Sequence, residues 1–341
     1  MSDISKEYTA INPADVPAKV LRSGDKLPTV GLGTFGSDRF THEEVADAVR
    51  NAIRLGYRHI DCAAVYGNEK EIGQAIKDVI AEGVCTRQEL FITGKVWNDC
   101  HAEVEKACQK TLDDLQLDYV DMYLVHWPFP NYHAPGCDGD SRNPDSKPFS
   151  VEQFMNTWKQ CEALVDAGKV RNIGTSNMTI AKFEKTLPLM KILPAVNEME
   201  MHPCFQQQEL FDYCVKNQIQ PIGFMPIGSP TRPERDVAEG DAVDIQTPEI
   251  QAIAKARGVH PAVICIKWAI KNGQVTIPFS VHPAEYLSNL TSSFNEPLTD
   301  EEFASIKNCE CGSRLVKGQV FLWEGAEHWK ELWDEDGVIA Q

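Results

Sequence analysis

Eight short apolar segments, each followed by a segment with the periodicity of a helix, set the tightest limit on how this chain can fold. The apolar segments are 28–34, 57–63, 90–96, 119–126, 169–176, 192–199, 219–226 and 274–280. Strands that alternate with helices along a chain are typical of a parallel sheet, and eight such units build a (β/α)8 barrel. We therefore predict an α/β fold whose main body is a (β/α)8 TIM barrel.

The segments between these strands repeat apolar residues at three- and four-residue spacing, as one face of a helix does. The first places Val45, Val49 and Ile53 on one face and ends at Gly56, and glycine is a common helix end. Helices are predicted in 42–56, 68–80, 103–115, 151–168, 180–187, 207–217, 248–258 and 283–293.

The chain before the first strand, KVLRSGDKLPTV at 19–30, is typical of a β-hairpin with its turn at Ser23-Gly24-Asp25. We predict that this N-terminal β-hairpin caps the floor of the barrel. The predicted organisation is an N-terminal extension at 1–17, a barrel at 18–307, and a C-terminal substrate-pocket loop and tail at 308–341.

A doubly wound sheet is the competing fold, because GLGTFG at 31–36 has the glycine spacing of a dinucleotide-binding turn. In that fold a helix would begin at the turn. The next helical pattern begins near Thr41, and the number of strands exceeds one such unit, so we favour the barrel.

Acidic residues outnumber basic ones, 50 to 33, and the formal net charge is −17. Such a field repels nucleic acid and anionic lipid. No signal-peptide pattern opens the chain, and no apolar run approaches the roughly 18 residues of a membrane span. The 11 cysteines are scattered, without zinc or thioredoxin spacing. These features predict a cytoplasmic protein with reduced thiols, no metal, and no nucleic-acid or membrane partner.

Four polar residues lie near the carboxyl ends of three successive strands: Asp61 and Tyr66, Lys95, and His126. The carboxyl ends of barrel strands open at one mouth, so these side chains are expected to meet. A phenol is a poor acid at neutral pH, but a nearby ammonium lowers its pKa, and a carboxylate holds that ammonium in place. Tyr66 is therefore the candidate general acid, with Lys95 and Asp61 behind it and a neutral His126 orienting a carbonyl oxygen.

Each of these residues alone also has a purely structural interpretation. His126 could be a buried, hydrogen-bonded histidine, and Asp61 could pair with Arg58. Their occurrence together favours chemistry. In the absence of a metal motif, the simplest reaction is protonation of a carbonyl that receives hydride from a nicotinamide.

Five segments closely resemble motifs of the aldo-keto reductases, (β/α)8 enzymes that reduce aldehydes and ketones with a nicotinamide cofactor. They are GYRHIDCAAVYGNE, FITGKVWN, DYVDMYLVHWP, GKVRNIGTSN and LPAVNEMEMHP, and the resemblance spans about residues 20–325. It implies that Asp61, Tyr66, Lys95 and His126 are the catalytic tetrad. It also implies a monomer or weak homodimer that acts on a small-molecule carbonyl or alcohol.

The same resemblance implies positions for cofactor and substrate. Ser176 and Asn177 would hold the carboxamide of the nicotinamide, Phe224 would stack on its ring, and Ser229 would touch the pyrophosphate. Thr34 and Phe35 would lie beside the cofactor, and the substrate pocket would be lined by Trp97, Trp127, Phe321 and Trp323.

The chain departs from the family pattern in three cofactor positions. Glu198 replaces a glutamine at the carboxamide. Phe279 and Glu285 replace the lysine and the arginine that bind the 2′-phosphate of NADP, while Ser280 and Asn289 remain as ribose or adenine contacts. We therefore predict that NAD(H) is preferred and NADP(H) is possible. The alternative is that Lys267, Lys271 or His282 supplies the missing cation.

The resemblance to sugar and polyol reductases favours an aldose or small hydroxyaldehyde as substrate. The polar stretch 137–147, in the long segment 128–149, is expected to face the barrel mouth. Two other classes of function are also considered. One is a slow-turnover, cofactor-binding regulatory subunit that senses redox state. The other is a metal-dependent barrel hydrolase, which would require a His-x-His after the first strand that GLGTFG does not supply.

Overall fold

Eight parallel strands, each hydrogen-bonded to the next in chain order, form the centre of the molecule in a computed structural model. The structure describes residue 4 and residues 7–36, 39–130, 145–228, 232 and 237–340. The strands are β3 (Leu32–Gly33), β4 (His59–Asp61), β5 (Phe91–Val96), β6 (Val120–Val125), β7 (Val170–Ser176), β8 (Val196–Glu200), β9 (Gln220–Phe224) and β10 (Val275–Thr276). The predicted (β/α)8 fold is confirmed.

The first and last strands meet and close the barrel. Val30 forms a parallel bridge with Thr276, and Gly33 N donates to Pro278 O at 3.0 Å. A Cβ on Gly33 would lie 2.9 Å from Ile277 O, so a larger residue would push the two strands apart. Gly33 of GLGTFG therefore serves the closure of the barrel, and the doubly wound alternative is wrong.

Helices surround the strands, and each begins and ends close to its predicted limits where one was predicted. They are α1 (His42–Arg54), α2 (Glu69–Ala81), α3 (Val104–Leu115), α4 (Val151–Asp166), α5 (Ile180–Thr186), α6 (Gln208–Lys216), α7 (Pro248–Arg257), α8 (Pro261–Asn272), α9 (Pro283–Thr291) and α10 (Asp300–Ile306). None in the described ranges is both long and apolar enough to cross a bilayer.

Helices α8 and α10 were not predicted. Seven consecutive residues of α8, from Val263 to Ala269, are buried, so its sequence lacks the polar face that marks an amphipathic helix. Helix α10 has only seven residues. Its N-terminal capping box, Thr299 with Glu302, was nevertheless a readable signal.

A β-hairpin closes the bottom of the barrel, as predicted. Strand β1 (Ala18–Val20) pairs antiparallel with β2 (Lys26–Pro28), and Gly24 occupies the turn with φ +92°. Leu27 on β2 is fully buried and packs with apolar residues of the barrel strands, which include Phe91, Met122, Leu124, Val196, Ile222 and Val275. The hairpin thus supplies the lowest layer of the barrel interior.

The C-terminal segment packs on the opposite end of the barrel. Its side chains form an aromatic cluster with two residues that follow β6: Trp127 and Phe129 pack with Phe321, Leu322, Trp323, Leu332 and Trp333. A buried ion pair between Lys182 and Asp334 fastens this segment to α5. The division of the chain at 17/18 and 307/308 stays a prediction.

Candidate active site

Lys95 is the centre of the group of polar residues at the carboxyl ends of β4 to β6. It lies on β5, and its ammonium bonds to Asp61 Oδ1 at the end of β4 and to Cys62 O at 3.2 Å. The same Nζ lies 5.5 Å from the centroid of the Tyr66 ring. Arg58, the other cation considered for Asp61, instead bonds backbone carbonyls. The predicted contact of Asp61, Lys95 and Tyr66 is therefore present.

Tyr66 is held between two rings at the barrel mouth. It ends a short 3-10 turn, Ala64–Tyr66, and the left-handed Gly67 that follows directs the chain into α2. The ring centroid of Tyr66 lies 5.9 Å from that of His126 in an edge-on arrangement and 5.2 Å from that of Phe35. His126 directly follows β6, and its backbone N donates to Val96 O. The Tyr66 phenol and the His126 imidazole are therefore neighbouring groups at the barrel mouth.

The ionisation of the group follows from its burial. Burial disfavours the charged ammonium, but Asp61, Glu198 and Tyr66 outweigh it and raise the pKa of Lys95 well above its usual value. Burial, with Lys95 and His101, lowers the pKa of His126 well below its usual value. The site therefore contains a charged lysine beside a neutral histidine.

For Tyr66, burial raises the pKa of the phenol and Lys95 acts in the opposite direction. Asp61 and Glu198 add to the rise. The sequence predicted the lowering by Lys95; the net direction is upward, because burial and the two carboxyls oppose that cation.

Glu198 lies inside this group. It is on β8, its Oε1 lies 3.3 Å from Lys95 Nζ, and its side chain is 3% exposed. Sequence reasoning placed Glu198 only at the nicotinamide carboxamide, and the direct contact with Lys95 was missed. Burial and Asp61 raise the pKa of Glu198 to about 8, with Lys95 opposing.

Ser176 and Asn177 form a pair of hydrogen-bonded polar side chains next to His126. Asn177 has φ +58°, which turns the chain out of β7, and its Nδ2 donates to His126 O at 3.0 Å and to Ser176 Oγ at 3.1 Å. Its backbone N donates to Glu198 O. Among the described residues, Asn177 Oδ1 has no hydrogen-bond partner although it is buried. A buried acceptor of this kind fits the NH2 group of a carboxamide.

The other residues predicted near the nicotinamide line the same mouth. Thr34 is fully buried, and its hydroxyl donates to Asp61 O at 2.7 Å. Phe35 is 42% exposed, which is unusual for phenylalanine and suits a residue that faces a bound molecule. Phe224 ends β9 and is half-buried. Ser229 lies outside the described residues.

The segment predicted to hold the adenosine carries a carboxylate and an aromatic ring. Ser280 Oγ donates to Glu285 Oε2 at 2.6 Å, and Phe279 is half-buried with its ring centroid 5.9 Å from that of Phe40. Asn289 is half-buried on α9. Phe40, which sequence reasoning did not single out, also lies against His282.

The two lysines considered as substitutes have other partners, whereas His282 lies within the predicted adenosine segment, next to Phe40. Lys267 bonds Asn295 O and, at 2.9 Å, Glu296 O. Lys271 bonds Leu298 O at 2.7 Å and pairs with Asp300. Both lysines of α8 therefore tie down the segment before α10.

Aromatic rings form one wall beside His126. The centroid of Trp97 lies 5.0 Å from that of His126 and 5.9 Å from that of Phe321. Phe321 also contacts Trp127, at 4.5 Å between centroids. Trp323 belongs to the same cluster and lines a small depression with Phe129, Phe149, Lys182 and Leu332. The structure thus brings three of the four predicted pocket residues together, because Phe321 contacts both Trp97 and Trp127.

A second buried ionic group, which sequence reasoning missed, lies beyond Glu198 on β8. His202 lies between Glu200, at 3.1 Å from Nε2, and Asp244, at 2.9 Å from Nδ1. Glu200 accepts from the backbone N of Leu315 and Val316, so this group fastens the C-terminal segment to β8. The alternate spacing of Glu198, Glu200 and His202 was the available signal, since it predicts side chains on one face.

A search of the described residues for three or more clustered His, Cys, Asp or Glu side chains placed to hold a metal finds none. Both oxygens of Glu200 and Oδ1 of Asp244 instead accept from the histidine and from backbone N–H groups, while Asp244 Oδ2 has no partner among the described residues.

Comparison with known proteins agrees with the fold. The sequence profile of the Aldo/keto reductase family matches residues 29–310. An aldo/keto reductase of Synechocystis sp. is 38% identical over 318 residues, which are 92% of this chain and 95% of the relative. Aldo-keto reductase family 1 member A1-A of Danio rerio is 36% identical over 317 residues, covering 90% and 95%.

Two solved structures are similar to this one. A Bombyx mori aldo-keto reductase in complex with NADP superposes with a TM-score of 0.78 at 31% identity, covering 90% of this chain and 96% of the other. An aldo-keto reductase complexed with NADPH gives a TM-score of 0.77 at 32% identity, covering 88% and 90%. The chain belongs to the aldo/keto reductase family, and it is a nicotinamide-dependent oxidoreductase.

Proposed function

We propose that this enzyme reduces an aldehyde or ketone to its alcohol, and catalyses the reverse reaction, with Tyr66 as the general acid and base. The observation that carries the proposal is the contact of Tyr66 with Lys95, which is itself paired with Asp61. A proton donor with a charged lysine behind it and a neutral His126 beside it can act on a carbonyl oxygen.

A nicotinamide, when bound, supplies the hydride for reduction or accepts it in oxidation. Three features of this chain fit its ring and carboxamide. The buried Asn177 Oδ1 lacks a partner among the described residues, Ser176 adjoins it, and Phe224 supplies a half-buried ring at the end of β9. These residues would hold the cofactor beside Tyr66.

Each member of the tetrad has a separate task in this proposal. The Tyr66 hydroxyl gives its proton to the carbonyl oxygen as that carbon receives hydride, and it takes the proton back when the alcohol is oxidised. The Lys95 charge stabilises the phenolate left behind, and Asp61 keeps Lys95 in place. The neutral His126 donates a hydrogen bond to the same oxygen, and its lowered pKa keeps it from taking that proton.

For the cofactor we propose a preference for NAD(H). A 2′-phosphate carries about two negative charges and is normally bound by arginine or lysine. The positions expected to meet it hold Phe279 and Glu285, and Lys267 and Lys271 have partners elsewhere. The similar solved structures contain NADPH or NADP. The preference proposed for this chain therefore rests on its own residues, above all on the carboxylate of Glu285.

The acidic stretch 234–244 was also expected to disfavour a phosphate near the cofactor. Two of its acids are paired with cations: Asp241 with Lys317 at 3.1 Å and with Arg232, and Asp244 with His202. These two charges are already compensated and add little to the proposed preference.

As substrate we propose an aldose or a small hydroxyaldehyde. The wall formed by Trp97 and Phe321 suits the apolar face of a sugar chain. The polar stretch 137–147, predicted to bind hydroxyl groups, lies outside the described residues up to 144. The oligomeric state, monomer or weak homodimer, stays a prediction.

Substitution of Tyr66 by phenylalanine tests the proposed role. The matched control is Tyr119→Phe, because Tyr119 packs between Arg87 and Arg171 away from the site. A panel of aldoses, alditols and aromatic aldehydes is assayed with NADH and NADPH in parallel. We expect Tyr66→Phe to lower kcat by about 10²–10⁴-fold with cofactor affinity nearly unchanged.

The outcomes separate the candidate functions. If Tyr66→Phe keeps more than about a tenth of the wild-type kcat, the proton-transfer role is wrong. If the wild type binds cofactor tightly and turns over no carbonyl in the panel, the redox-sensing subunit becomes the better description.

A further inference from the structure

Glu198 is in contact with the catalytic lysine. Its Oε1 lies 3.3 Å from Lys95 Nζ, which also bonds Asp61 Oδ1. One ammonium is therefore shared by two buried carboxyl groups, one from β4 and one from β8, and these carboxyls also adjoin each other. If both carboxyls were ionised, the group would carry one uncompensated negative charge away from water, which is costly.

Two oxygen atoms of this group lack a hydrogen-bond partner among the described residues. They are Asp61 Oδ2 and Glu198 Oε2, one on each carboxyl. Two facing acceptors cannot satisfy each other, whereas one added proton turns one of them into a donor. A single proton on Glu198 would thus remove the uncompensated charge and satisfy both oxygens.

Among the described residues, the strands beside this group supply no other charge that would do this. Strand β7 presents Ser176 and Asn177 to the site, and β9 presents Phe224, all uncharged. The titratable neighbours are Tyr66, Cys62, Glu69 on α2 and the histidines nearest Lys95, and burial raises the pKa of the Cys62 thiol well above its usual value. Burial lowers the pKa of His59 to about 4 and that of His126 well below its usual value, so both are neutral.

We propose that Glu198 is a positioning residue that carries a proton in the active enzyme at neutral pH, and that its ionisation at alkaline pH makes Tyr66 hold its own proton more tightly. The inference rests on the proposed function, in which Tyr66 is the proton carrier. Its consequence is a bias: an ionised Glu198 keeps the phenol protonated, which supports carbonyl reduction and opposes alcohol oxidation.

The direction of the titration agrees with this geometry. Burial first and Asp61 second raise the pKa of Glu198 to about 8, and Lys95 lowers it. Glu198 also contributes to the raised pKa of Tyr66. A glutamine at this position would have almost the same shape, but it could neither ionise nor hold an acidic proton.

The first measurement uses the enzyme without cofactor. Infrared difference spectra are recorded one pH unit below and one pH unit above the Glu198 pKa of about 8. A second buried glutamate, Glu69 on α2, has a pKa raised by burial to about 7 and would add its own band, so the spectra are recorded in Glu69→Gln. We expect a protonated carboxyl band that disappears at the higher pH and is missing in Glu69→Gln/Glu198→Gln.

The second measurement is the pH profile of kcat in both directions for wild type, Glu198→Gln and Glu69→Gln. In Glu198→Gln we expect alcohol oxidation at alkaline pH to rise about tenfold and the alkaline limb of carbonyl reduction to move about one pH unit lower. Glu69→Gln should move both limbs much less, because Glu69 bonds to Thr111 on α3 and acts on Lys95 only as a more distant charge.

Two results would overturn the inference. One is the absence of a titrating carboxyl band in Glu69→Gln alone, which does not depend on the folding of a Glu198 variant. The other is a pair of pH profiles that Glu198→Gln leaves unchanged. Failure of the proposed function looks different: Tyr66→Phe would then keep its activity whatever the infrared spectra show.

Discussion

The Ser280 hydroxyl donates a hydrogen bond of 2.6 Å to the carboxylate of Glu285 at the amino end of α9. The same hydroxyl accepts from the backbone N of His282, so the carboxylate is held by a fixed turn. A negative charge is therefore positioned where relatives of this family are expected to bind a phosphate. The contact between Ser280 and Glu285 therefore predicts a preference for NADH over NADPH.

Exchange of two side chains should reverse the cofactor preference. Wild type is expected to favour NADH by about 10–10³-fold in kcat/KM, since each ~1.4 kcal/mol is tenfold. Phe279→Lys/Glu285→Arg supplies two cations and should move the preference toward NADPH. The measurement is kcat/KM for both cofactors at one low salt concentration. Glu301→Arg, a charge reversal on the exposed start of α10, is the control and should change neither value much.

An equal or better value for NADPH in wild type would show that another cation serves the phosphate. Arg39, whose guanidinium lies 5.9 Å from the ring centroid of Phe40, would then be the first residue to replace. Phe40 packs against Phe279, which puts Arg39 near this segment.

Lys95 and Asp61 should act as one unit with Tyr66. Lys95→Met removes the cation, so the Tyr66 pKa should rise and the acidic limb of the pH profile of alcohol oxidation, along which activity rises with pH, should move to higher pH. Asp61→Asn should have a smaller effect, because the Lys95 cation is still present and Glu198 also contacts it. The double variant should lose less than the product of the single losses, as measured by kcat/KM.

Lys182→Met is the matched control, since Lys182 is also a buried lysine paired with an aspartate, Asp334. It should lower stability without moving the pH profile. Strictly multiplicative losses at Lys95 and Asp61 would instead point to two independent structural roles.

Removal of the charge of Asp334 should loosen the C-terminal segment. Asp334→Asn leaves the Lys182 ammonium buried without its charged partner, and we expect a loss of about 3–5 kcal/mol in the free energy of unfolding by urea. Asp166→Asn breaks the exposed pair with Lys191 and should cost less than about 1 kcal/mol.

The same variant should also alter the substrate pocket. Asp334 adjoins Trp333, whose ring packs on Trp127, so KM and substrate ranking are expected to change more than kcat. If Asp334→Asn proved as stable as Asp166→Asn, the charge of Asp334 in the buried pair would contribute nothing to the free energy of unfolding.

The free energy of unfolding should fall at acidic pH because two histidines are buried in their neutral form. Burial lowers the pKa of His59 to about 4 and that of His101 to about 3. Both values lie below the unfolded value of about 6.5, so the unfolded chain binds protons first. Their stabilising contribution is complete above pH ~6.5 and falls by about 1.4 kcal/mol per pH unit for each histidine as the pH drops.

Urea unfolding at several pH values checks this slope. His101→Leu should reduce the slope of the unfolding free energy against pH by the contribution of about one bound proton. Replacement of the exposed His42 by leucine should leave that slope unchanged. His202, whose pKa its two carboxylates raise to about 9 against burial, behaves oppositely: its contribution is complete below ~6.5 and is lost as the pH rises to about 9. An unchanged slope in His101→Leu would mean that this histidine is not buried in solution.

The order of elements was readable from the sequence because it depends on local patterns. Eight apolar segments with helical spacing between them specify a barrel whatever the details of packing. Helix α8 was missed for the converse reason. It is buried on all sides by neighbours distant in the chain, and no local pattern records that burial.

Much of the candidate site was also predictable, since chain position alone puts Asp61, Lys95 and His126 at one end of adjacent parallel strands. The contact between Lys95 and Glu198 was not predictable in this way. Strands β5 and β8 are not neighbours, and their side chains meet only across the interior of the closed barrel.

The sequence by itself determined the fold class, the family and the identity of the groups that can carry protons. The tertiary structure decided how those groups are charged, because burial and distance set ionisation and neither is a property of a segment. It also placed Phe321 against Trp97 and Asp334 against Lys182, since these contacts join residues more than a hundred positions apart.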